Sequence, residues 1–342
     1  MTQAAAERPL VTFALFAYNQ EKYIREAVEG AFAQTYQPLE IILSDDCSSD
    51  RTFEIMQEMA AKYKGPHQVR ATRNIKNLGV TQHFLTRCKE AKGGIIVVAA
   101  GDDISLPTRV AEHVPEYDDL SVAGVSSAFN LIDSAGQLIA ENQKRPIGAR
   151  AHSEPRTHLR NVKHEYIVIQ GSTASYRRSI FAVELPEWPI RFSEDNLMNF
   201  VIYARGFRVS FLNQSLINYR MHPLALSNTG RKLQGAEFER ASLIAAHKRI
   251  NKLETFKWIS IQSNGAIDYD AQSLQRDVER TKTVILWAEL SSWQRISALL
   301  RDIVDRRFVM LKWKMARIFG CFPNYQPKIF IDHLKHKLSA YS

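Results

Sequence analysis

Strand-length apolar runs alternate with helix-period segments through the first hundred residues, and this alternation restricts the possible folds more than any other feature of the chain. "LVTFALF" (Leu10 to Phe16), "EIILS" (Glu40 to Ser44), a weaker "HQVRAT" and "GIIVVAA" read as four strands. After the first, Ile24, Ala27, Val28, Ala31 and Phe32 recur at the spacing of one helical face. Ile55, Met56, Met59 and Tyr63 share a second face, and a third helix is predicted from about Val80 to Ala91 with Phe84, Leu85 and Cys88 inward. Strands separated by helices of this length predict an α/β fold, a parallel sheet covered on both faces. Ligands of such sheets bind beyond the carboxyl ends of the strands.

Polar clusters stand at three of those ends: "AYNQE", "SDDCSSD" and "GDD". Adjacent carboxylates repel, so a site that keeps both offers them a cation or a set of donors. The plainer role of an Asp pair is a turn or a helix cap, and Asp45 and Asp46 lead into a helix that Ser49 or Asp50 can cap. Their placement near Asp102 and Asp103 instead predicts four carboxylates converging at one sheet edge. Tyr18 and Asn19 fit a turn and a cap as well as they fit ligand contact. Glu194 and Asp195 precede a helix bearing Leu197, Phe200, Val201 and Ala204 and stopped by Gly206, where Asp195 has a capping role open to it. "FRVSFL" and "SLINY" read as two short strands. "IQGSTASYRRSIF" reads as a hydroxyl-rich sugar-facing loop or as a strand-to-helix turn with Arg177 and Arg178 solvated. Trp188 suits the core or the face of a sugar ring.

The ordered set "PLVTFALFAYNQEKYIREAVEGAFAQTYQPLEIILSDDCSSDRT", "NLGV", "GDDISLP", "FSEDNLMNFVIYARGF" and "YRMHPLALS" resembles the family-2 glycosyltransferases of GT-A fold over roughly residues 9 to 228. The resemblance implies a GT-A-type, Rossmann-like, mostly parallel sheet flanked by helices. It implies a catalytic domain over 1–228, with the nucleotide-sugar side at about 9–110 and the acceptor side at about 111–228. A helical, basic extension follows over 229–342. The implied reaction moves a sugar from a nucleotide diphosphate sugar to an acceptor hydroxyl, with a divalent metal (Mn2+ or Mg2+) and inversion at the anomeric carbon. Asp102 matches the family's metal ligand, Asp103 its helper, and His222 a position that completes the metal shell or touches the diphosphate. Arg220 is placed to pair with phosphate. Asp46, beside Asp45, matches the acceptor of a hydrogen bond from the base. A carboxylate accepts from the N3–H of uracil or thymine, which favours a UDP- or dTDP-sugar. Phe16, Ala17 and Glu21 border the same pocket by resemblance, and Tyr18 stands between them. Asp195 matches the catalytic base, with Glu194 next to it. One position departs: many members carry Asp where this chain has Ala100.

The remaining features bound the setting. No apolar stretch approaches the ~20 residues that cross a bilayer. The start "MTQAAAERPL" lacks a secretory pattern, and Cys47, Cys88 and Cys321 suit no disulfide framework, so a cytoplasmic location is expected. Of the net charge of +9, +6 lies between Arg301 and Ser342. A helical pattern from Arg280 to Phe319 overlaps this stretch and carries Trp287, Trp293, Phe308, Trp313 and Phe319 among Arg and Lys. Such a segment can lie on an anionic membrane surface, placing the protein peripherally at the inner face of the cell membrane, or pack on the catalytic domain. The first arrangement suits a lipid-linked acceptor and the second any glycan. No nucleic-acid motif accompanies the basic tail, so no nucleic-acid partner is expected. A nucleotidyltransferase would call for a Gly-rich phosphate loop that the amino terminus lacks. An inactive transferase-like scaffold or a basic binding protein stays open as the alternative, motivated by Ala100.

Overall fold

The computed structural model describes residues 8–144, 167–223, 235–262 and 271–289. Its first hundred residues follow the predicted alternation: β1 (Val11–Ala17), α1 (Ile24–Phe32), β2 (Leu39–Asp45), α2 (Thr52–Lys62), β3 (Gln68–Arg73), α3 (Val80–Glu90) and β4 (Ile95–Ala100). Then come β5 (Ile104–Ser105), α4 (Arg109–His113), β6 (Val122–Ile132), β7 (Leu138–Gln143), β8 (Ser175–Arg177), α5 (Glu194–Ala204) and β9 (Arg208–Arg220). Two helices follow, α6 (Gly235–Gln262) and α7 (Ala271–Glu289).

The strands form one sheet in the order β3-β2-β1-β4-β8-β6-β9-β5, with β7 paired to β6. From β3 to β4 every pairing is parallel, as the helical crossovers require. Beyond β4 the sheet becomes mixed: β8 runs antiparallel to both β4 and β6, while β9 is parallel to β6. The two strands expected from "FRVSFL" and "SLINY" are one strand, β9, whose pairing with β6 shifts register between Ser127 and Ala128. A bulge absorbs the extra residues and keeps the strand continuous.

Side-chain alternation sorts the core into two layers. Val11, Phe13, Leu15, Ile95 and Val97 pack with Ile24, Val28, Ile55 and Met56 on one face. Ala14, Ile96 and Val98 pack with Phe84, Leu85, Tyr176 and Phe200 on the other. A strand buried on both faces reads as a continuous apolar run, which is why β1, β2 and β4 are legible at once. Each fully buried Leu, Ile, Val or Phe contributes about 1.5–3 kcal/mol. Gly93 lets β4 enter this core, since a Cβ there would stand 2.4 Å from the Thr12 nitrogen.

The chain divides into two compact units, 1–232 with 251–276, and 233–250 with 277–342. In the first, the Phe256 ring stacks on Phe200 at 4.0 Å. In the second, Arg249 Nη2 lies 3.7 Å from Asp277 Oδ2. Among the described residues no helix is long and apolar enough to cross a membrane. The basic run from Arg301, with Trp293, Phe308, Trp313, Phe319 and Cys321, lies outside the described residues.

Buried histidines tie this core to pH. His83 Nε2 is 2.6 Å from Ser44 Oγ, and burial brings its pKa down to about 4, against a nearby Asp46 that pulls it up. The unfolded imidazole titrates near 6.5, so the stability contributed by neutral His83 is present above that pH and lost as pH falls toward 4. The stability difference between wild type and His83→Gln is expected to shrink by about 2 kcal/mol between pH 7 and pH 5. Urea unfolding of both proteins at the two pH values checks this; a constant difference contradicts it.

Candidate active site

The carboxyl ends of β2, β1 and β4 are stitched together by their own backbones. Ala17 lies opposite Asp45 and Phe16 opposite Ala100. The loops leaving the strands fold back over them: Asp46 N–H donates to the Ala17 carbonyl at 3.0 Å and Gly101 N–H to the Phe16 carbonyl at 2.8 Å. Because β1 separates β2 from β4, the two Asp pairs stand about two strand spacings, ~10 Å, apart. The four carboxylates lie along one sheet edge, as expected, in two pairs on either side of β1.

At the β2 end the carboxylates organise loops. Asp45 has no exposure and accepts from Ser48 N–H at 2.9 Å, from Ser48 Oγ–H and from the Arg73 guanidinium. Its expected place in the donor pocket is therefore corrected: its oxygens face the protein. Asp46 accepts from Asn74 Nδ2 at 2.7 Å and from the N–H groups of Leu78 and Gly79 at 2.9 Å each, so it holds loop 74–79 in place. A carboxylate has about four acceptor positions, and three are used here. Glu21 accepts from Arg51 N–H at 3.1 Å, linking the loop after β1 to the start of α2. Asn19, at φ +53°, accepts from Ser49 N–H at 2.8 Å and caps nothing, because α1 starts only at Ile24. Asp50, not Ser49, serves the start of α2, accepting from Thr52 N–H at 3.0 Å. Ala17 is buried, Phe16 is half-buried with its ring perpendicular to that of His83 and the two centroids 5.0 Å apart, and Tyr18 is exposed.

At the β4 end the arrangement differs. Asp102 Oδ2 lies 3.0 Å from His222 Nε2, although 120 residues separate them in sequence. An imidazole nitrogen and a carboxylate oxygen at this distance either share a proton or stand as neighbouring donors to one cation. Asp103 turns inward: it is 5% exposed and its Oδ1 accepts from Arg220 N–H at 2.9 Å. Burial, aided by the Asp102 charge, pushes its carboxyl up to about 8. In this arrangement Asp103 is held from behind Asp102 by Arg220 N–H rather than standing beside it, and among the described residues no three His, Cys, Asp or Glu side chains group as a metal site. Ala100 ends β4 without supplying a further carboxylate. The Asp102 carboxylate nevertheless suits Mn2+ or Mg2+, which take few protein ligands and fill the rest with phosphate and water oxygens, while an imidazole beside it is a less usual partner that fits the softer Mn2+ better than Mg2+.

Arg220 also departs from expectation. Its side chain is 1% exposed and donates to the Asp102 carbonyl at 2.9 Å and to Glu26 Oε2 at 2.8 Å. A guanidinium spent on protein acceptors is not offered to a phosphate. Arg109, which nothing in the sequence singled out, is fully buried and donates to the carbonyls of Val98, Ser172 and Ala174. Burial draws its pKa down to about 9 while nearby Asp103 raises it.

The acceptor-side residues approach through the turn Gly171–Thr173. Arg109 binds this turn to β4, and Gly171 faces Glu194 so closely that a Cβ would stand 2.3 Å from Glu194 Oε1. Asp195 lies inside α5, after Ser193, and accepts from Asn196 N–H at 2.7 Å and from Ser193 Oγ–H. Asn199 returns to the Asp195 carbonyl at 2.7 Å and accepts from Ile169 N–H at 3.1 Å, fixing the start of the helix. Arg177 is not solvated, because it donates to the carbonyls of Tyr117, Asp119 and Val122; Arg178 is exposed. Trp188 is 38% exposed, edge-on to Trp258 at 5.5 Å, with Nε1 donating to Thr255 Oγ1 at 3.3 Å.

Comparison with known proteins identifies the family from the amino-terminal part of the chain, which holds Asp46 and Asp102 but not Asp195 or His222. The family model described as glycosyl transferase family 2 matches residues 12–183, half of the chain. A Mycobacterium tuberculosis protein is 38% identical over 104 residues, 30% of this chain and 30% of its own length. The chondroitin synthase of Escherichia coli is 36% identical over 143 residues, 42% of this chain and 20% of its own. The chain thus spans less than a third of the length of either relative. Among solved structures, the mannosyltransferase PcManGT from Pyrobaculum calidifontis, in complex with GDP-Man and Mn2+, has the same fold: TM-score 0.51 at 15% identity, covering 94% of this chain and 89% of that one.

Proposed function

Because the chain belongs to glycosyl transferase family 2, we propose that it moves a sugar from a nucleoside diphosphate sugar to an acceptor hydroxyl at the carboxyl edge of β1, β2 and β4. The observation that carries this reading is the 3.0 Å approach of Asp102 Oδ2 to His222 Nε2 at the end of β4. Those two side chains would hold Mn2+ or Mg2+, which when bound supplies Lewis-acid stabilisation to the departing diphosphate. Asp103 supports the site from behind through Arg220 N–H. Asp46 keeps one acceptor position for the base, and half-buried Phe16 and exposed Tyr18 line the donor side with the backbone of Ala17 and Glu21.

On the acceptor side Asp195 is the general base. It takes the proton from the attacking hydroxyl, which displaces the diphosphate from the opposite face of the sugar and inverts the anomeric carbon. Glu194, against Gly171, shapes the same wall. The catalytic part covers 1–228 and the helical extension 229–342. Similarity to a chondroitin synthase supports a glycan acceptor in polysaccharide assembly. The basic, aromatic carboxyl-terminal sequence suits an anionic membrane surface at the cytoplasmic face, an arrangement that would bring the site to a lipid-linked acceptor.

Thermal unfolding with UDP, dTDP or GDP, each with Mn2+ and with chelator, tests the donor site. A nucleotide present at a hundred times its Kd stabilises the native state by about 2.7 kcal/mol, a rise of several degrees in Tm. A rise for one nucleotide, dependent on Mn2+, is expected. No rise with any nucleotide would favour a transferase-like scaffold.

A further inference from the structure

Arg220 is 1% exposed, and its side chain is committed to protein acceptors on several segments. Nε donates to the Asp102 carbonyl at 2.9 Å. Nη1 reaches the carbonyls of Asp133 and Ser134 at 3.4 and 3.5 Å. Nη2 meets Glu26 Oε2 at 2.8 Å, and the backbone N–H holds Asp103 Oδ1 at 2.9 Å. The β6–β7 turn approaches at Gly136, whose φ of +82° favours glycine.

Tyr23 covers this assembly. Its ring centroid lies 4.9 Å from the Arg220 guanidinium carbon and 4.7 Å from the His222 ring. A buried cation that loses its carboxylate partner is strongly disfavoured and must shift or draw in water. Arg220 has Glu26, 194 residues away on α1 and 47% exposed, as its ion-pair partner. His222 follows Arg220 by two residues, so displacement of the guanidinium carries the end of β9, and the imidazole, away from Asp102.

We propose that Arg220 is a positioning residue which, gripped by Glu26 and roofed by Tyr23, sets the spacing of Asp102 and His222 and thereby the affinity for a divalent cation. This rests on the reading of Asp102 and His222 as the cation-holding pair. Residues that orient ligands from outside the coordination sphere change metal affinity by about 10- to 100-fold when removed.

The test is titration of the full chain with Mn2+ alone, reading free Mn2+ by electron paramagnetic resonance. Circular dichroism and Tm report folding in parallel. Glu26→Ala is expected to raise the Mn2+ dissociation constant by about 10- to 100-fold while the native spectrum is kept. In transfer assays at saturating Mn2+, kcat recovers toward wild type while the Mn2+ requirement stays raised, a split that general loosening would not produce. Tyr23→Leu raises the constant and Tyr23→Phe restores it. A folded Glu26→Ala protein with wild-type Mn2+ affinity overturns the proposal. Should Glu26→Ala not fold, equal affinities of Tyr23→Leu and Tyr23→Phe overturn it instead. Wild-type protein that binds no Mn2+ overturns the metal-pair reading itself, a result distinct from an unaffected variant.

Discussion

Asp102→Asn is expected to lower sugar transfer by about 100-fold or more, the equivalent of several kcal/mol of lost charge stabilisation at the diphosphate. The substitution keeps the size of the side chain and removes its charge. The Asp102 carbonyl still accepts from Arg220 Nε, so the turn after β4 keeps its anchor and Tm changes little. Asp103 responds as well: the Asp102 charge helps to raise its pKa, so that carboxyl falls back from about 8 toward its ordinary range, while burial continues to hold it up. The Mn2+-dependent thermal shift with nucleotide disappears in the same variant. Release of nucleoside diphosphate, followed alongside the thermal shift, checks both consequences. An Asp102→Asn protein with wild-type turnover and an intact Mn2+-dependent shift would remove Asp102 from the mechanism.

Asp195→Asn is expected to reduce kcat by about 100- to 10,000-fold, the range for loss of a general base. Donor binding is expected to persist, because Asp195 belongs to the acceptor side while the cation pair and the Asp46 loop are untouched. Structural loss does not account for such an effect. Asparagine keeps an oxygen that accepts from Ser193 Oγ–H and Asn196 N–H, so the first turn of α5 stays tied. The readout that separates catalysis from folding is a fall in kcat at unchanged Tm and unchanged nucleotide affinity. Near wild-type kcat would leave Asp195 as a residue that only organises the helix start.

Much of this arrangement was legible before any coordinates. The runs that became β1, β2 and β4 are apolar on both sides of the pleat because helices cover both faces, and that pattern survives in a one-dimensional reading. The polar clusters at their ends were visible for the same reason. Partnerships were less legible. "FRVSFL" and "SLINY" looked like two strands because a bulge interrupts the alternation, and the bulge is defined only by the partner β6. Asp45 and Asp103 each looked like a site residue beside an equivalent neighbour. One faces Ser48 and Arg73, the other Arg220 N–H, and adjacent positions in a loop leave a strand in directions that local sequence does not encode.

What the sequence by itself determined is therefore the parallel half of the sheet, the polar clusters at its carboxyl edge, and the family, since all three rest on local periodicity and on short motifs in order. Only the tertiary structure decided which partners each carboxylate meets: Asp45 and Asp103 fasten the protein, and Asp102 meets His222. It paired Asp102 with His222 across 120 residues and Arg220 with Glu26 across 194. The physical reason is that a buried charge is assigned its role by whatever balances it, and here the balancing groups come from segments that meet only when the sheet has closed around them.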